Sequence, residues 1–114
     1  MKYTLRISMR AVRDMQNALA HTRERFGERK HDQYKRLIRD ALKAIATHPD
    51  RPPAKRRPEL HPDARTFHIA RRGKRARHFF IYRVSEDRFI DIARLLHDSM
   101  DLEQHLSEGF ATGE

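Results

Sequence analysis

The chain has no cysteine among its 114 residues. A small secreted domain often depends on disulfides, so their absence points to a reducing compartment. It also lacks any run approaching the roughly 20 apolar residues of a membrane span. The opening stretch, Met1 to Ile7, alternates apolar and polar residues. A secretory leader would place a continuous apolar run there. The expectation is a single cytoplasmic domain, residues 1–114.

What is present is charge. Charged residues make up 36% of the chain, against 38% hydrophobic, and the net charge is +9. Residues 1–50 carry twelve Lys/Arg and six Asp/Glu, a net +6. Residues 51–78 carry ten and two, a net +8, and residues 79–114 carry three and eight, a net −5. A basic body with an acidic end implies an acidic partner, either nucleic acid or an acidic protein segment.

Hydrophobic periodicity sets the elements. Tyr3, Leu5 and Ile7 share one face of a first strand. Ser8 is placed to cap a helix carrying Val12, Met15, Leu19 and Phe26 at helical spacing. Gly27 ends it, because glycine enters the left-handed region at little cost. A second helix runs from about Arg29 to Thr47, with the stripe Tyr34, Leu37, Ile38, Ala41, Leu42 and Ile45, and Pro49 marks its end. So short a link folds the two helices back on each other.

The segment Asp50–Pro62, rich in proline and Lys/Arg, reads as a loop crossing the molecule. Three strands follow: Thr66–Ala70, Arg77–Val84 and Arg88–Leu96. Gly73 supplies the turn in Arg71-Arg72-Gly73-Lys74-Arg75. Phe79-Phe80-Ile81-Tyr82 suits a central strand buried on both faces. A short helix over Asp101–Leu106 closes the chain. The order β-α-α-β-β-β predicts an α+β fold, with an antiparallel helix pair packed on a small, mostly antiparallel sheet.

Several strings resemble the RelE/ParE superfamily of toxins from type II toxin–antitoxin systems. Phe80-Ile81-Tyr82-Arg83-Val84 is similar to its central strand. Ile90-Asp91-Ile92-Ala93-Arg94-Leu95-Leu96-His97 is similar to its last strand, and Arg65-Thr66-Phe67 to the start of an earlier one. Ser99-Met100-Asp101, followed by Gln104-His105-Leu106, looks like the ParE branch. The resemblance covers about residues 3–106. It implies a toxin that inhibits DNA gyrase by binding and stabilises a plasmid or chromosome. Its implied partner is an acidic-tailed, ParD-like antitoxin that neutralises it.

The RelE branch instead cleaves mRNA, and shared fold cannot separate the two. Cleavage needs an acid or base and cations for the phosphorane-like transition state. The candidates for that alternative are His97 with Arg83 and Arg94. No tyrosine follows the last strand, and Asp98, Asp101 and Glu103 would repel RNA. The expectation is therefore no catalysis, no cofactor and no metal: the histidines lack the i, i+4 spacing of a zinc-binding helix. Target binding is assigned to Arg65, Arg83, Arg94, His97 and Asp101. Antitoxin binding is assigned to Val12, Met15, Leu19 and Tyr34, with Arg71, Arg72, Lys74 and Arg75. Direct nucleic-acid recognition by that basic turn ranks behind both.

Overall fold

The computed structural model describes residues 3–70 and 76–98. In chain order these form β1 (Thr4–Ile7), α1 (Met9–Phe26), α2 (Glu28–Thr47), β2 (Lys55–Arg56), β3 (Ala64–His68), β4 (His78–Val84) and β5 (Phe89–His97). The strands make one sheet in the order β1-β5-β4-β3-β2. β1 runs parallel to β5, and the other pairings are antiparallel. This is the expected α+β architecture with one strand added. β2 lies inside the segment read as a loop, where two basic residues among prolines leave no alternation to detect. The basic turn Arg71–Arg75 and the short helix from Asp101 lie outside the described residues.

Local chemistry explains the helix ends. Ser8 Oγ accepts the Ala11 N–H at 3.0 Å and so caps α1. Gly27, at φ 90°, separates the helices, and its N–H closes α1 on the Arg23 carbonyl. α2 ends at His48, and Tyr82 Oη then donates to the Pro49 carbonyl at 2.7 Å. Burial gives that carbonyl no water, so the phenol supplies its partner.

The main core lies between helices and sheet. Leu37, Ile38, Ala41 and Ile45 of α2 meet Phe67, Phe80, Tyr82, Ile90, Ile92 and Leu95. α1 contributes Ala11 and Ala18, and these small side chains let it approach β5 closely. Phe26, expected on this stripe, is instead 63% exposed. A second cluster, Phe79, Ile81 and Leu96 with Leu60, occupies the opposite face. β4 is thus buried on both faces, as its unbroken apolar run predicts. No described helix is long and apolar enough to cross a membrane.

Candidate functional site

A bulge in β5 organises the conspicuous polar residues. Tyr82 pairs with Ile92 and Ile81 with Arg94, so Ala93 is the extra residue. A bulge breaks the ladder locally and re-aims side chains. α1 supplies the missing partners. Ser8 N–H donates to the Ile92 carbonyl at 3.0 Å, and Ser8 Oγ to the Ala93 carbonyl at 2.7 Å. The Asp14 carboxylate accepts the Leu95 N–H at 3.0 Å and both ends of the Arg94 fork at 2.8 and 3.0 Å. Arg94 is therefore anchored in the fold, with its side chain largely buried.

Arg83 and Arg6 share one carboxylate. Asp91 accepts from Arg6 Nε at 2.6 Å and Arg6 Nη2 at 3.1 Å, and from Arg83 Nε at 3.4 Å. Arg6 also stacks over Phe89, 4.3 Å from the ring centre. Arg65 is only 5% exposed. It bonds Asp50 at 2.8 Å and the Asp63 carbonyl at 2.7 Å, tying β3 to the end of α2. The same contact holds Asp50 below the usual carboxylate range.

His97 belongs to a different cluster. It pairs with His78 across the ladder, and the two rings meet edge to face at 5.2 Å. Burial first, and then the neighbouring His97, push His78 down to about 4. The ring is therefore neutral, and its Nδ1 shares a hydrogen bond with the Tyr34 hydroxyl at 2.5 Å. Burial raises Tyr34 above its ordinary value, which keeps the phenol protonated.

The candidate trio His97, Arg83 and Arg94 is not brought together. His78, the ladder partner of His97, lies five residues from Arg83 along β4. An odd separation puts their side chains on opposite faces, about 17 Å apart along the strand. Val12, Met15 and Leu19 are half-buried on α1, whereas Tyr34 faces inward to His78. Arg71, Arg72, Lys74, Arg75 and Asp101 lie outside the described residues. Asp14, His78 and the second role of Ser8 were not singled out in the sequence. Asp14 was the most readable of these, being a carboxylate set between Ala11 and Ala18 on the stripe that packs on β5.

Among the described residues, the one grouping of metal-type ligands is Glu28, His31 and Asp32, with donor atoms within 4.8 Å of one another. Arg23 already supplies its cation, 2.6 Å from Glu28 and 3.1 Å from His31 Nε2. A groove of about 460 Å³ opens between the end of α2 and β3. Ala44, Pro52, Pro53 and Phe67 give it apolar walls, and Lys43, His48 and Arg51 are cationic or polar.

The described residues thus form a two-layer α+β fold in which Arg6, Arg65, Arg83 and Arg94 of the sheet are held by carboxylates. Residues 5–102 match the profile described as ParE toxin of type II toxin-antitoxin system, parDE, and the chain belongs to that family. A chain from the chromosomal ParDE toxin–antitoxin system of P. aeruginosa has the same fold, with TM-score 0.67 and 20% identity. That similarity covers 84% of this chain and 96% of the other. No curated protein matches the sequence.

Proposed function

We propose that this protein inhibits DNA gyrase in the cytoplasm by binding it, without catalysis, and that a cognate ParD-like antitoxin neutralises it. The observation that carries the non-catalytic reading is the separation of His97 from Arg83. An RNA-cleaving site needs its acid or base and its cations around one phosphate. Here Arg83 and Arg94 each hold a carboxylate, and His97 sits among Tyr34 and His78.

In this reading Arg83, His97 and Asp101 contact the target. Arg65 and Arg94 contribute by fixing the backbone, since both are occupied and mostly buried. The antitoxin lies across the helical pair, over the half-buried Val12, Met15 and Leu19. Its acidic end is drawn by the +14 carried by residues 1–78. The test is expression without antitoxin. Filamentous growth with DNA damage signalling supports gyrase as the target. Prompt arrest of translation with specific mRNA cuts, lost in His97→Ala, supports the endonuclease reading instead.

A further inference from the structure

The outer ridge of α2 carries Arg29, Lys35, Arg36, Arg39 and Lys43, all exposed. Lys35, Arg39 and Lys43 stand at i, i+4 and i+8, about 6 Å apart along the axis. Residues four apart are neighbours on a helix surface, and like charges there destabilise it. Asp32 and Asp40 are interspersed on this face, on the row of Arg36, but the row Lys35, Arg39 and Lys43 itself holds no acid. Places where a local rule is broken without local gain are where function is expected.

The described cations divide into those on carboxylates and those without one, and Arg13, Arg25, Lys30 and Lys55 belong with the second group. Arg6, Arg57, Arg65, Arg77, Arg83 and Arg94 each sit on a carboxylate. Among the described residues, no carboxylate lies within ion-pair distance of Arg29, Lys35, Arg39 or Lys43. Two acids lie along the helix. Asp32 is engaged by His31, which holds it below its ordinary value, and Asp40 lines the groove beside Lys43. Arg51 lines the same groove.

We propose that this ridge binds the phosphate backbone of duplex nucleic acid. The ridge is convex and bears no large apolar side chain. Protein–protein interfaces deplete charge at their centre and need apolar anchors. Protein–nucleic acid interfaces are far more positively charged, and phosphate contacts need only cations. A rigid row of cations about 12 Å long, from Lys35 to Lys43, spans several phosphates of one strand. Binding is independent of sequence, because nothing on the ridge reads base edges. The inference stands apart from the gyrase reading, since it concerns the chain and DNA alone.

The test is fluorescence anisotropy of the purified chain with a labelled mixed-sequence duplex of about 20 base pairs, from about 50 to 200 mM salt. Two double variants remove the same charge. Arg39→Gln/Lys43→Gln takes it from the ridge, and Arg6→Gln/Arg57→Gln from cations already paired. The ridge variant is expected to lose about tenfold in affinity at the lower salt, and its log–log salt slope to fall by about two. The paired-cation variant keeps the wild-type slope. The ridge variant melts no lower than wild type, because like-charge repulsion has been removed. Equal losses in both variants would mean diffuse attraction and overturn the proposal, as would no duplex binding at about 50 mM salt. Poly-L-glutamate displacing the duplex at equal charge concentration would reassign the ridge to an acidic protein segment.

Discussion

Asp14 of α1 grips Arg94 of β5 with both carboxylate oxygens and takes the Leu95 N–H as well. One side chain on a helix thus satisfies the strand edge that β1, ending at Ile7, leaves uncovered. Asp14→Ala leaves a mostly buried guanidinium and an amide without their acceptor. The expected loss is about 3 kcal/mol of unfolding free energy. Asp14→Asn keeps one acceptor and loses less. Chemical denaturation measures both, and a loss under about 1 kcal/mol for the alanine variant would show that the edge is satisfied elsewhere.

Arg65 makes a similar brace on β3, towards the other edge of the sheet. Arg65→Ala should cost stability, about 2 kcal/mol, by leaving the Asp63 carbonyl and Asp50 without their donor. Arg65→Lys should recover only part of this, because an ammonium cannot reproduce the fork that spans both acceptors. If Arg65→Ala keeps full stability yet abolishes toxicity, Arg65 contacts the target directly.

His78 predicts a pH dependence. Its folded-state value, about 4, lies below the ordinary 6.5. The folded state therefore binds fewer protons across that interval, so stability is complete above about pH 6.5 and is lost as pH falls towards 4. The expected loss between pH 7 and pH 5 is about 2 kcal/mol. Asp32 and Asp50, lowered by His31 and Arg65, lose their contributions only below the ordinary carboxylate range. His78→Gln should flatten the profile between pH 5 and 7. An unchanged slope in that variant would assign the effect to other groups.

Much of the fold was legible because its cause is local. The stripes of α1 and α2, the Ser8 cap, Gly27 and the run Phe79–Tyr82 follow from periodicity and backbone preference. Phe26 was misplaced because α1 continues past the core to the tip of the helical hairpin, and periodicity does not say where the sheet ends. β2 exists only because β3 offers it a ladder. The site was less legible. A bulge at Ala93 depends on long-range register, and it decides that Arg94 meets Asp14, 80 residues away. The meeting of Tyr34, His78 and His97 depends equally on packing between layers.

Association with an acidic antitoxin should be fast and salt-sensitive, because the positive field of residues 1–78 steers it. Stopped-flow mixing measures this. Association should slow several-fold between low and physiological ionic strength. A rate that does not change would mean that apolar contact with Val12, Met15 and Leu19, rather than steering, controls encounter.

The most direct test of the central claim uses purified gyrase. The chain, added alone, should block supercoiling and raise the yield of cleaved plasmid, and adding its antitoxin should reverse both. Variants of Arg83 that still fold should lose the effect. Unimpaired supercoiling at saturating toxin, with specific mRNA cuts that disappear in His97→Ala, would contradict the account.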